Sequence, residues 1–384
     1  MIYDVIVIGA GINGLAIAHC LRRRHPEAHI AVLERFAGPA PDRASSHGLI
    51  RITRSVYETV LEVKGMFRSL EEWRLLEDEL GGALIHFRPM CLYGTPNGAI
   101  AGFVAAITEV LADAPDLAVR QIDASEARGL YPQFRFEKDS VVLDDRTAGT
   151  ILASETVRRL VGRLKESGVE LRYNTRVGGI ERVSDGYRMH TDNGDLRSRQ
   201  LVVATGPWIG QLASCPPGRV TPIRQTVAYV RVKGLPTGTA MGEFPTWAHL
   251  GTGANPIHYG LPAHGGQGLK VARHVTDGPA ADLETDELAV DPTAALRLVD
   301  FVRKHLVVTD VELVETERCM YTCGDANKFI VDWLDESRQG VVVGAGSGHM
   351  FKWAPFVGRM VADMLTDGQP TYDEARALLP VWSL

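Results

Sequence analysis

The sequence predicts an α/β fold: a Rossmann-like nucleotide-binding domain assembled from discontinuous stretches, with an inserted region rich in antiparallel sheet. Three features of the 384 residues point there. The N-terminus reads strand, glycine turn, helix, strand, acid. A second strand entering a glycine turn and a helix lies near the C-terminus, at 340–348. Between them, residues 218–275 are rich in Gly, Pro, Thr and β-branched types, which reads as meandering antiparallel strands.

The first element is the apolar run Tyr3-Asp4-Val5-Ile6-Val7-Ile8, followed by Gly9-Ala10-Gly11-Ile12-Asn13-Gly14. Gly9 permits the tight turn. Gly11 lets a pyrophosphate approach the backbone. Gly14 lets the helix pack on the strand. The helix N-terminus offers free N–H groups and a partial positive charge to phosphates. A second strand, Ile30-Ala31-Val32-Leu33, leads to Glu34 and Arg35. Glu34 lies twenty residues after Gly14, where a carboxylate can accept hydrogen bonds from ribose hydroxyls. Strand, glycines, helix, strand and acid in register point to a bound dinucleotide.

Residues 42–57 read as a loop of small residues leading into a segment that carries Arg51 and Arg54. Apolar positions from Val60 to Leu80 recur at helical spacing, predicting a helix over 58–80. A strand follows at 86–94, a helix at 98–112, a strand at 117–122 and a β-like stretch at 140–144. A helix is predicted over 150–167, closed by Gly168. Strands at 169–173, 176–183 and 186–191 follow, with Asn193-Gly194 as a hairpin turn. Residues 201–208 form a buried strand running into a glycine turn, with Gly206 and Trp208 as candidate cofactor contacts. Asp291 caps a helix over 292–305, and 310–318 reads as a strand. The expected division is a nucleotide domain from 1–85, 145–217 and 318–384, with 86–144 and 218–317 as the substrate domain.

Composition narrows the function. A net charge of −6 argues against a nucleic-acid surface. The run Arg22-Arg23-Arg24 reads as a dipole-complementing helix end. The five cysteines, Cys20, Cys91, Cys215, Cys319 and Cys323, form no CxxC pair and fit a reduced, cytoplasmic protein. No apolar run suits a membrane span, and the first residues read as a strand, not a signal peptide. No metal-ligand spacing and no GxSxG elbow occurs.

Four further motifs carry chemistry: Ser46-His47-Gly48 with Arg51, Arg54 and Tyr57; Gly268-Leu269-Lys270 with His274; Cys319-Met320-Tyr321-Thr322; and Gly346-Ser347-Gly348-His349 with Phe351-Lys352. In this order, over nearly the whole chain, they resemble the FAD-dependent amine oxidases of the monomeric sarcosine oxidase, N-methyltryptophan oxidase and pipecolate oxidase group, within the D-amino-acid-oxidase superfamily. The resemblance implies FAD attached through a thioether to Cys319, which needs a thiolate that Arg318 could favour. Cys323 is a possible competitor. Lys270 is implied as the cation that stabilises charge developing on O2. Arg54 and Lys352 are implied as a clamp on the substrate carboxylate. Tyr259, His274 and Tyr321 would line the substrate side. Gly9, Gly11, Ile12, Asn13, Gly14, Glu34, Arg35, Ser46, His47, Arg51, Ile52, Val177, Gly206, Trp208, Met320, Gly346, Gly348, His349 and Lys352 would contact FAD.

Two features depart from the group. Met350 replaces the usual glycine between His349 and Phe351, and the stretch 247–256 looks longer. The implied reaction oxidises the C–N bond of a secondary amino acid, N-methyl or cyclic, to an imine. O2 then becomes hydrogen peroxide. A monomer is expected, with a neutral amine bound because the cations disfavour an ammonium. The alternatives are a cyclic imino-acid oxidase or desaturase of secondary metabolism, an NAD-dependent oxidoreductase on the same N-terminal fold, and a non-catalytic FAD-stabilised subunit.

Overall fold

The strand Tyr3–Ile8 is buried almost throughout, as a central parallel strand must be. The computed structural model describes residues 2–114, 116–213, 219–253, 257–276, 278–284 and 290–384; Cys215 and the end of the 247–256 stretch lie outside them. Tyr3–Ile8 pairs in parallel with Ile30–Leu33 on one side and Leu196–Val203 on the other. Glu170–Arg172 extends the sheet beyond Ile30–Leu33, and Gly340–Gly344 runs parallel to the end of Leu196–Val203. Val177–Val183, Gly186–Thr191 and the start of Leu196–Val203 form an antiparallel meander, and Ile330–Trp333 pairs with Gly340–Gly344.

Helix Ile12–Arg24 packs on this sheet beside helix Ala354–Asp367. The helices touch closely because Gly358 has no side chain: a Cβ there would lie 2.9 Å from the Ala16 carbonyl oxygen.

The second sheet runs in the order Asp310–Gly324, Val220–Lys233, Leu269–Arg273, Ile257–Leu261, Trp247–Leu250, Met90–Gly94, Val141–Asp145, Val119–Ile122. Its pairings are antiparallel except that of Trp247–Leu250 with Met90–Gly94. A small third sheet joins Ile50–Thr53, Gly149–Leu152 and Ile85–Phe87.

Local chemistry explains most boundaries. Helix Val60–Leu80 opens on Thr59, whose hydroxyl accepts from Glu62 N–H and donates to the Glu62 carboxylate, and closes on Gly81 at φ 78°. Asp291 caps Pro292–His305 through the Thr293 N–H at 2.8 Å.

Three expectations change. The strand over 86–94 splits at Arg88 and Pro89 into Ile85–Phe87 and Met90–Gly94, which belong to different sheets; a proline has no N–H for a ladder. The helix expected from 150 starts at Ala153, because the β-branched Thr150 and Ile151 lie in a strand paired on both sides. The strand expected to end at 318 continues to Gly324 in the second sheet, across the boundary expected at that residue. Among the described residues, no helix is long and apolar enough to cross a membrane.

Two glycines should respond oppositely to alanine. A Cβ at Gly14 would lie 1.9 Å from the Gly9 carbonyl oxygen, whereas one at Gly162, inside helix Ala153–Glu166, meets nothing within 4 Å. Gly162→Ala should stabilise by about 0.5–1 kcal/mol, and Gly14→Ala should destabilise by roughly 1–3 kcal/mol or more. Denaturant unfolding of both variants checks the signs.

Candidate active site

One cavity of 810 Å³ collects nearly every residue singled out in the sequence. Its walls are the C-terminal ends of the parallel strands and one face of the second sheet, where open α/β sheets bind ligands. Gly9, Gly11, Ile12, Asn13, Glu34, Arg35, Ser46, His47, Arg51, Ile52, Val177, Gly206 and Trp208 line it. So do Arg54, Tyr259, Lys270, His274, Cys319, Tyr321, Gly346, Gly348, His349 and Lys352. Gly14 and Met320 are absent from the wall. Gly14 acts beneath it by packing on Gly9, and Met320 is buried while its carbonyl accepts from the Ser45 hydroxyl.

At the strand ends, Gly9 adopts φ +108°, and a Cβ there would lie 2.4 Å from the Ala204 carbonyl oxygen. The first helix N–H, from Ile12, donates to Ser46 Oγ at 3.1 Å. Glu34 accepts from the N–H groups of Ala10 and Phe36, each at 3.0 Å, so it holds the glycine turn itself. Burial raises its carboxyl, against the pull of those donors. The Arg35 guanidinium sits 4.8 Å over the Trp208 ring. Asn13 Oδ1, Thr205 Oγ1, Trp208 Nε1 and His47 Nδ1 are buried on this wall with no hydrogen-bond partner among the described residues.

The strand Asp310–Gly324 supplies the adjoining wall. Alternation puts Glu317, Cys319 and Tyr321 on the cavity face. It puts Arg318 on the other face, and the cations that draw the Cys319 thiol down most are Arg51 and Lys270. Burial outweighs them and leaves that thiol raised. Cys323 packs with Ile223 and Tyr321 away from the cavity wall, and burial pushes its thiol up to about 11. Arg51 donates to the carbonyls of Ser45, His47 and Ile50, fixing the loop that carries His47.

Lys270 is 5% exposed, with the Glu317 carboxylate at 4.0 Å. Burial, with Arg51 beside it, pushes its ammonium down to about 8. Glu317 is a site residue the sequence motifs did not select. Its signal was an acid two residues before Cys319 on an alternating strand.

Farther along, the Arg54 guanidinium lies 4.4 Å from the Tyr57 ring centre, and Lys352 Nζ lies 5.9 Å from the same ring. Lys352 donates to the His349 carbonyl at 3.2 Å. Burial and then Arg54 push the Lys352 ammonium well below the usual lysine value. Next to the cations runs a line of polar rings. Tyr259 Oη meets Tyr321 Oη at 3.2 Å, Tyr321 Oη meets His274 Nδ1 at 3.3 Å, and His274 Nε2 meets His349 Nε2 at 3.3 Å. Gly348 makes room for this line, since a Cβ there would lie 2.3 Å from the Tyr321 ring. Met350, expected to add bulk on this turn, receives a 3.0 Å contact at Sδ from the Asn13 amide.

The fold and this cavity define a flavoprotein oxidoreductase. A family model described as FAD dependent oxidoreductase matches residues 4–364, and the chain belongs to that family. The chain is 31% identical over 389 aligned positions to human peroxisomal sarcosine oxidase, covering 97% of this chain and 95% of the relative. It is 29% identical to monomeric sarcosine oxidase of Streptomyces avermitilis, over 95% and 94% of the two chains. N-methyl-L-tryptophan oxidase of Yersinia pestis is 27% identical over 94% of each. Among solved structures, NikD, titled an unusual amino acid oxidase essential for nikkomycin biosynthesis, superposes with a TM-score of 0.81 at 24% identity, covering 97% of this chain and 96% of that one. The family match sets the NAD-dependent alternative aside. The wall fits FAD on its own features: a glycine turn closed to any Cβ, and buried polar atoms at Asn13, Thr205 and Trp208 that lack partners among the described residues.

The histidines make this site sensitive to acid. Burial pushes His274 from 6.5 down to about 4, with Arg54 and Lys352 acting the same way, and His349 is also held well below 6.5. The unfolded chain therefore binds protons that the folded chain refuses. Stability is fully present above about pH 6.5 and is lost as pH falls, by at most about 1.4 kcal/mol per pH unit for each group. Urea unfolding at pH 7 and pH 5 should show the loss, and His274→Gln should reduce its slope.

Proposed function

We propose that this protein oxidises the C–N bond of a secondary amino acid, N-methyl or cyclic, to an imine, with O2 reduced to hydrogen peroxide. The observation that carries the proposal is the pair of cations, Arg54 and Lys352, flanking Tyr57 beside the ring line Tyr259–Tyr321–His274. The activities for which the sarcosine oxidase and N-methyl-L-tryptophan oxidase relatives are named support it. Bound FAD supplies the two-electron acceptor and the route to O2.

The chain's residues do the rest. Arg54 offers a planar fork and Lys352 an ammonium to the substrate carboxylate. A bound carboxylate restores the Lys352 charge that burial opposes. The same cations disfavour a protonated amine, so the substrate nitrogen is held with its lone pair available. Tyr259, Tyr321 and His274 are neutral at pH 7 and can orient that nitrogen by hydrogen bonds. Lys270 places positive charge where negative charge develops on O2. Cys319, and not Cys323, carries the flavin. Segments 1–85, 145–217 and 318–384 form the FAD domain and 86–144 and 218–317 the substrate domain, with Arg54, Tyr321 and Lys352 reaching the substrate from the FAD domain, and the protein works as a monomer. The experiment is a peroxide-release screen over N-methyl and cyclic amino acids. Peroxide from none of them, with flavin bound, removes the proposal.

Two variants probe its parts. Flavin should stay with the acid-precipitated wild-type chain and with Cys323→Ser, and be freed from Cys319→Ser. Acid release from the wild type would rule out the covalent bond.

A charge-assisted hydrogen bond contributes about 1.5–3 kcal/mol, so Arg54→Ala should weaken binding of a small carboxylate inhibitor by about 10- to 150-fold. Arg54→Lys should restore this only partly, because the fork is lost. Titrating flavin absorbance with the inhibitor reads both.

A further inference from the structure

The cavity wall near Lys270 holds a half-buried carboxylate with no part in the reading above. Glu317 comes from the strand that carries Cys319, two residues before it, and faces the same way. Its Oε2 accepts from Tyr229 Oη at 2.5 Å and lies 4.0 Å from Lys270 Nζ. Its Oε1 lies 3.0 Å from His47 Nε2, which also lies 2.9 Å from the Arg318 carbonyl. Both partners of Nε2 are acceptors, so Nε2 carries the hydrogen and Nδ1 is the ring nitrogen left without a partner on the wall.

Three elements thus converge on one carboxylate: the loop at His47, the strand Val220–Lys233 through Tyr229, and Leu269–Arg273 through Lys270. The groups that act on Lys270 are Arg51 from Ile50–Thr53, Tyr229 from Val220–Lys233, and Glu317 and Cys319 from Asp310–Gly324. Of the protein groups acting on its charge, Arg51 is the cation and Glu317 the carboxylate.

We infer that Glu317 is a positioning residue for Lys270: anchored by Tyr229 and His47, its carboxylate keeps the Lys270 ammonium charged and fixed at the cavity wall. The inference rests on the reading of Lys270 as the cation that serves O2, and it extends that reading to the group that keeps the cation a cation.

The electrostatics agree in direction. Burial and Arg51 drive Lys270 toward neutrality, and Glu317 opposes them. Burial would raise the Glu317 carboxyl, but His47, Lys270 and Tyr229 hold it down at about 2, so it remains charged across the working range. Glutamine keeps the shape and removes the charge.

The test compares wild type, Glu317→Gln, Glu317→Asp and Lys270→Met as flavin-bound proteins. The first readout needs no turnover: the extent of Lys270 modification by a small amine-reactive reagent, measured by mass spectrometry against pH. The wild-type midpoint should fall near pH 8. Glu317→Gln should lower it by about one to three units, the range for losing an opposite charge at this distance. Glu317→Asp should stay near wild type. The second readout is O2 reoxidation of the reduced flavin. In Glu317→Gln at pH 8 it should slow by about fivefold or more, and recover as pH falls.

Unchanged labelling and reoxidation profiles in Glu317→Gln would overturn the inference. Normal reoxidation in Lys270→Met would instead sink the oxygen role of Lys270, while the labelling midpoint still reports on Glu317. If Glu317→Gln does not fold because it leaves a buried ammonium unpaired, Glu317→Gln with Lys270→Met should fold, since that charge is gone. A double variant that also fails to fold would overturn the pairing.

Discussion

The site depends on backbones passing where no side chain fits. The first helix sits over the end of Tyr3–Ile8 only because Gly14 can lie against the Gly9 carbonyl, and that turn can lie against Ala204 only because Gly9 has no Cβ. From this contact the rest of the wall follows. The helix begins with its N–H groups at the cavity, Ser46 reaches the Ile12 N–H, and Glu34 closes the turn from the next strand. The loop that carries Ser46 also carries His47, which meets Glu317 on the second sheet. One steric condition at two glycines thus sets the position of groups from both sheets. A larger residue would displace the helix, the loop and the wall together, since interiors this dense transmit strain.

Much of this was legible in the sequence because its signals are local. The glycine spacing and the apolar run at 3–8 act on their neighbours, and the structure has the buried strand and the turn where they were read; Glu34, read as a partner for ribose hydroxyls, accepts from the N–H groups of Ala10 and Phe36. The helix expected over 58–80 forms over Val60–Leu80, and the helix expected over 292–305 forms with Asp291 as its cap. The errors fell where tertiary pairing decides. Thr150 and Ile151 continue a plausible helical stretch, yet a strand on either side claims their backbone groups. Residues 319–324 read as a motif, not a strand, because their pairing partner, Val220–Gln225, lies far away in sequence.

The motif residues were legible as types, but their charge environment was not. Arg318 is adjacent to Cys319 in sequence and on the opposite face in space, while Arg51 arrives from a different sheet. Sequence adjacency in a strand separates side chains, and only register brings distant ones together. Glu317 escaped notice for the same reason: its partners His47, Tyr229 and Lys270 come from three separate stretches.

The two ends of the cavity handle buried cations differently, and this difference suits two tasks. At Lys270 the Glu317 carboxylate lies 4.0 Å away and opposes the loss of charge that burial favours. Arg54 has the Val56 carbonyl, the Tyr57 and Phe103 rings and the Glu58 carboxylate around it, whereas Lys352 has the His349 carbonyl and the Tyr57 ring, which only partly offset its burial. Lys352 is accordingly driven toward neutrality. A cation held so is strongly stabilised by an arriving anion, because the desolvation has already been met by folding. The same site repels an ammonium. Under the function proposed above, the O2 end of the wall has a carboxylate beside its lysine, and the substrate end has a lysine whose charge an arriving anion would restore; the line Tyr259–Tyr321–His274–His349, uncharged at pH 7, lies beside that second lysine without neutralising it.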